Sequence, residues 1–163
     1  MKAAVISFTE AGNRLNDVIS GILSADFYKN AKNIYTLTEK LMTEYEVLIF
    51  IGAAGIAVRA IAPYIKSKDT DPAVIVCDEK GRFVIPILSG HIGGANKIAL
   101  ELAKNLNANP VITTATDVNE VWAVDCWASE NGYHIENIEN IKYISSALLK
   151  NEKIGMDSDF KVM

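Results

Sequence analysis

Apolar residues fall along this chain in short solid blocks, separated by stretches of helical period. The blocks at residues 2–8, 46–51, 73–77 and 82–88 are bounded by polar or glycine-containing turns and read as buried strands. Residues 46–51 form the strongest of them, apolar after Glu46, as a central parallel strand covered on both faces should be. Residues 73–77 and 82–86 flank Asp78-Glu79-Lys80-Gly81, a turn sequence that predicts a β-hairpin. Shorter strands are expected at residues 33–36, at 111–113 after Asn109-Pro110, and at a beginning over 153–155.

The helical stretches lie between these blocks. Leu15, Val18, Ile19, Ile22 and Leu23 predict a helix with one apolar face after the turn at residues 9–13. Thr38 is expected to cap a short helix over 39–45, with Leu41 and Met42 inward. A helix from Gly52-Ala53-Ala54-Gly55 should bury Ile56, Ala60, Ile61 and Ile65 and end at Pro63. Ala95, Ile98, Ala99, Leu102 and Leu106 mark another. Two more are expected at 121–131, stopped by Gly132, and along Ile138, Ile141, Ile144, Leu148 and Leu149.

Strands alternating with helices predict an α/β fold. The expected form is a mostly parallel, Rossmann-like sheet with helices on both faces and one β-hairpin. Residues 1–150 are expected as one α/β domain, and residues 151–163 as the start of a further unit or a linker. Ligands of such sheets bind outside the carboxyl ends of the strands. Four turns are expected there: 9–12, 52–55, 89–96 and 113–117.

Composition narrows the function. The net charge is −4, from 16 basic and 20 acidic residues, with no basic stripe for nucleic acid. No apolar run has the length of a membrane span. The chain enters its first strand with no cleavable signal, so a cytoplasmic protein is expected. Two distant cysteines, Cys77 and Cys126, and two histidines, without a spaced ligand set, predict neither a disulfide framework nor a protein-bound metal.

The candidate chemistry gathers in Leu88-Ser89-Gly90-His91-Ile92-Gly93-Gly94-Ala95-Asn96, between a strand and a helix start. Glycines let backbone approach a ligand, and the first N–H groups of a helix can hold an anion. His91 is the residue best suited to moving a proton near neutral pH, most economically as a base toward bound water. The same residues also suffice for a tight connection with a helix cap. Gly52 and Gly55 give only G-x-x-G, a weak dinucleotide signal but a reasonable anion-tolerant helix start. Arg59, one turn later, can pair with a carboxylate or merely lie along an apolar face. Thr113, Thr114, Thr116 and Asp117 offer hydroxyls and a carboxylate, with Asp117 best read as the cap of the next helix. His134 reads as an exposed loop residue, and at least one of Trp122 and Trp127 as core.

Four blocks together carry a resemblance. They are Ile51-Gly52-Ala53-Ala54-Gly55-Ile56-Ala57-Val58-Arg59, Thr70-Asp71-Pro72-Ala73-Val74, the Leu88–Asn96 block, and Pro110-Val111-Ile112-Thr113-Thr114-Ala115-Thr116-Asp117. In order and approximate spacing, followed by Ala123-Val124-Asp125, they resemble the amino-terminal part of the CbiG family, the cobalt-precorrin-5A hydrolases of anaerobic cobalamin biosynthesis. The resemblance implies opening of the ring-A δ-lactone of cobalt-precorrin-5A, with release of acetaldehyde to give cobalt-precorrin-5B. It implies no cofactor, because cobalt travels with the substrate. It also implies a carboxy-terminal domain as partner, as in full-length members; a homodimer is compatible with it.

On that reading His91 is the catalytic base, and the N–H groups of Gly93 and Gly94 face the oxyanion. Gly52, Gly55, Arg59, Ser89, Gly90, Gly93, Gly94, Asn96, Thr113 and Thr114 would bind the substrate and its carboxylate arms. Two alternatives stay open: a non-catalytic tetrapyrrole-binding half of that enzyme, and an unrelated nucleotide- or phosphate-binding α/β domain.

Overall fold

A computed structural model describes residues 1–159. It divides into two compact units, Met1–Ile112 and Thr113–Met163.

The first unit is a six-stranded sheet in the order β2-β1-β3-β4-β5-β6. Its strands are β1 (Ala3–Ser7), β2 (Asp26–Tyr28), β3 (Val47–Ile51), β4 (Ala73–Cys77), β5 (Phe83–Leu88) and β6 (Asn109–Pro110). The helices are α1 (Glu10–Leu23), α2 (Ile34–Glu44), α3 (Ala54–Ile61) and α4 (Ala95–Leu106). β1 pairs parallel with β2 and β3, and β3 parallel with β4. β5 pairs antiparallel with β4, as the Asp78–Gly81 turn predicts, and β6 runs parallel to β5. The fold is therefore the α/β, mostly parallel sheet that the alternation of blocks implies.

Side chains alternate across the strands and build a core on each face. Val5, Ile49 and Ile75 join Ile98, Ala99 and Leu102 of α4 and Ile19 of α1 on one face. Ile6, Leu48, Phe50, Val74 and Val76 join Leu41 and Met42 of α2 and Ala57, Ala60 and Ile61 of α3 on the other. α1 is also fixed to β1 by polar bonds: buried Asn16 donates through Nδ2 to Val5 O and Ser7 Oγ, both at 3.0 Å. That pairing satisfies a polar group that would be costly to bury alone.

Several local expectations are corrected. No strand forms over 33–36: Asn33 takes a left-handed φ of 50° and α2 starts at Ile34. Ile34, Leu37, Leu41 and Met42 then share one helical face, and the second strand is the earlier Asp26–Tyr28. Thr38 lies buried inside α2, past its start, and its hydroxyl has no hydrogen-bond partner among the described residues. Val18 and Ile65 face solvent, because Gly12, Asn16, Ile19 and Ser20 make the buried face of α1 and α3 stops at Ile61 before Pro63. β6 ends at Pro110, so residues 111–113 extend it only through a Val111 N–H bond to Val84 O.

The second unit holds α5 (Ala115–Val118), α6 (Val124–Glu130), a 3₁₀ turn (Ile138–Asn140) and α7 (Ile141–Leu149). Gly132 stops α6 with a φ of 72°, as expected of a left-handed helix terminus. Asp117 sits within α5 and does not cap α6, whose capping residue is Ala123. Neither tryptophan is fully buried; Trp122, Trp127 and Tyr133 instead form a row, with ring centroids 6.1 and 5.2 Å apart. His134 is exposed, as expected. Residues 152–158 form no strand, so the one expected at 153–155 is absent. Among the described residues no helix is long and apolar enough to cross a membrane.

Candidate functional site

The hairpin decides where the candidate residues go. Leu88, at the end of β5, pairs with Val74 at the start of β4. The glycine-rich turn that follows therefore lies at the amino-terminal edge of the parallel strands. Ser89 Oγ confirms this by donating to Asp71 O, just before β4, at 3.0 Å. The turns after β1 and β3 lie at the other edge. The expectation that all four turns share the carboxyl edge is thus corrected, because β5 reverses direction. Ser89, Gly90, His91, Gly93, Gly94 and Asn96 occupy one edge of the sheet, and Gly52, Gly55 and Arg59 the opposite one. Thr113 and Thr114 belong to the second unit, where Thr113 is exposed and Thr114 precedes α5.

The Ser89–Asn96 turn is built largely by its own backbone. N–H groups of Gly94, Ala95 and Asn96 donate to the carbonyls of His91, Ser89 and Gly90 at 2.8, 3.2 and 3.0 Å. These donors are spent on the turn, so Gly94 does not supply an oxyanion donor; Gly93 keeps its N–H out of this set. The glycines are structural necessities. A Cβ on Gly93 would meet Ser89 Cβ at 2.5 Å and Ser89 O at 2.8 Å. Gly94 holds a φ of 77° as it starts α4. Asn96 is buried, its amide against Gly90, where a Cβ would come within 2.8 Å of Oδ1. It therefore packs against the turn from inside. His91 is half-buried on this turn, and its carbonyl accepts the Gly94 N–H.

The carboxyl edge holds a cleft of about 520 Å³ between β1 and β3, the point where the strand order changes direction. Phe8 and Thr9 line it from β1, and Gly52, Ala53 and Ile56 from the turn into α3. The hairpin turn contributes Asp78, Glu79, Lys80 and Arg82, none of which the sequence singled out. Asp78 accepts N–H bonds from Arg82 at 2.7 Å and Phe83 at 2.8 Å. Burial opposes its ionisation, but the backbone donors of Phe83, Arg82 and Lys80 outweigh that and hold its carboxyl below the usual range. Glu79 accepts the Thr9 hydroxyl at 2.5 Å. Behind the cleft Cys77 is buried, and its thiol is pushed up to about 12 by desolvation and the neighbouring Asp78 charge.

Arg59 is exposed, and its guanidinium folds back over the first turn of α3: a Cβ on Gly55 would lie 3.6 Å from Nη2. This direction follows from the helix, whose side chains lean toward its amino end. Arg59 thus points toward the carboxyl edge, as its spacing from Gly55 allows, and away from the edge that carries His91.

Comparison with known proteins now bears on the whole. A family model described as "Cobalamin synthesis G N-terminal" matches residues 36–117, and one described as "Cobalamin biosynthesis central region" matches residues 122–162. The chain belongs to the CbiG family. The first match spans both Arg59 and His91; the second begins after α5, inside the second unit. The chain is 48% identical over 115 residues to the cobalt-precorrin-5A hydrolase of Salmonella typhimurium, covering 70% of this chain and 33% of that protein. It is 44% identical over 124 residues to the protein of the same name from Priestia megaterium, covering 76% and 33%. A solved structure described as a cobalamin biosynthesis protein G homolog from Sulfolobus solfataricus matches with a TM-score of 0.62 at 31% identity, over 99% of this chain and 51% of that one. The chain therefore spans about a third of the length of the curated CbiG relatives it matches.

Proposed function

We propose that this chain forms the amino-terminal and central part of a cobalt-precorrin-5A hydrolase. The reaction opens the ring-A δ-lactone and releases acetaldehyde, giving cobalt-precorrin-5B. The observation that carries this reading is the 48% identity over 115 residues to a hydrolase of that name. The reading takes the enzyme as cytoplasmic and a carboxy-terminal domain of the same enzyme as this part's partner. Cobalt enters with the substrate.

The His91 edge suits the chemistry better than the Arg59 edge. Lactone hydrolysis needs a base to take a proton from water as it attacks the carbonyl carbon. Imidazole does this at neutral pH. His91 stands on a turn held by three backbone hydrogen bonds, so it is presented with little freedom to lose. The spare N–H of Gly93 can donate to the oxygen that gains charge. Ser89 donates to Asp71 O and supports the turn.

Anaerobic incubation with cobalt-precorrin-5A tests the reading. Acetaldehyde should be released by a full-length polypeptide carrying this chain. Release by these 163 residues alone would put the catalytic groups within them. Binding of the substrate without release, by the full-length polypeptide as well, would overturn the hydrolase reading in favour of a tetrapyrrole-binding module.

A further inference from the structure

The carboxyl-edge cleft has no part in the chemistry assigned to His91, yet it has the make-up of a binding site. We propose that it binds an anionic group, carboxylate or phosphate, carried on an apolar body, with Arg59 and Lys80 as the cations that hold it.

The charges around the cleft differ in how far they are already engaged. Four charged side chains of the hairpin turn surround the cleft. Asp78 is committed to the turn's backbone N–H groups and to Arg82 Nε at 3.4 Å. Arg82 is committed to Asp78 in return. Glu79 is tied to the Thr9 hydroxyl across the mouth. Lys80 forms no ion pair among the described residues, and neither does Arg59, whose guanidinium lies over Gly55, the chain neighbour of the lining residue Ile56. Asp78 and Glu79 offset Lys80 and Arg82 in the lining, so Arg59 beside it leaves the local balance at the cleft positive by one charge. Its floor is different: Phe8 and Ile56 are apolar and can take a hydrocarbon or ring body. Open α/β sheets place ligands at the point where strand order reverses, and this cleft stands there, between β1 and β3. Its volume of about 520 Å³ is that of a small-molecule site.

The site is separate from the His91 turn. The sheet lies between them, with roughly 10 Å of strand from Cys77 to Val74 before either turn is counted. The proposal therefore stands whether or not the hydrolase reading does.

The two sources of such an anion can be told apart by amide NMR of the chain, titrated separately with pyrophosphate and with uroporphyrin, whose rim carries carboxylate arms. At least one probe should shift the amides of Gly52, Gly55 and Gly81 saturably, while Gly93 moves far less. Pyrophosphate alone would identify a free phosphate ligand; uroporphyrin alone would identify an arm of a macrocycle. In an Arg59→Ala/Lys80→Ala double variant, both exposed positions, affinity should fall tenfold or more with an unchanged melting temperature. No saturable shift with either probe at millimolar concentration would overturn the proposal. So would equal binding by the double variant.

Discussion

Val74 of β4 stands opposite Leu88 of β5 in an antiparallel ladder. That pairing carries the chain back across the sheet and delivers His91 to the edge opposite Arg59. A βαβ crossover in its place would have set both residues at one edge. The functional geography of the unit therefore depends on the four-residue turn Asp78–Gly81, whose carboxylate and glycine fold the hairpin.

The glycines of the chain should respond very differently to alanine. Gly93→Ala forces a Cβ against Ser89, partly against backbone that cannot swing away. A loss of about 2–4 kcal/mol is expected, with collapse of the turn. Gly94→Ala strains a left-handed residue and should cost about 1 kcal/mol. Gly21→Ala, inside α1 with nothing within 4 Å, should instead stabilise by about 0.5–1 kcal/mol. Urea denaturation of the three variants checks this order.

Tyr45 closes the second core through its hydroxyl. It donates to Asp26 at 2.6 Å and lies 2.9 Å from the Tyr28 hydroxyl. The bond to the Asp26 carboxylate first, then the Tyr28 bond and burial, push its phenol above the ordinary tyrosine range. A group whose folded value exceeds its unfolded one contributes stability that is intact below the unfolded value and lost as pH rises. The native protein should therefore lose stability as pH climbs past about 10, the ordinary phenol value. Tyr45→Phe should flatten that alkaline loss while costing about 1 kcal/mol at neutral pH. Thermal melts between neutral and alkaline pH measure both effects.

Much of the fold was legible because the chain writes it in burial. Five residues, Val47–Ile51, are all buried, and their solid apolar block declares a central parallel strand. β2 was not legible, because Asp26-Phe27-Tyr28 is an edge strand with two exposed residues and no apolar block. Residues 33–36 read as a strand because helix and strand patterns coincide there until Leu37 and Leu41 are counted together. At the site, residue types were readable and their arrangement was not. The hairpin was visible in the Asp78–Gly81 turn, but its consequence, the reversal of β5, was not carried through to His91. The cleft residues Glu79 and Lys80 were invisible for a different reason: turn residues are polar whether or not they bind anything.

The proposed role of His91, presented by the turn after β5, is to move the proton in lactone hydrolysis. The most direct measurement is acetaldehyde release from cobalt-precorrin-5A by a full-length polypeptide carrying this chain, with and without His91→Ala. A fall of about 10²–10⁴-fold is expected with the melting temperature unchanged, the usual contribution of a positioned general base. Release at the unsubstituted rate by the His91→Ala variant would contradict it.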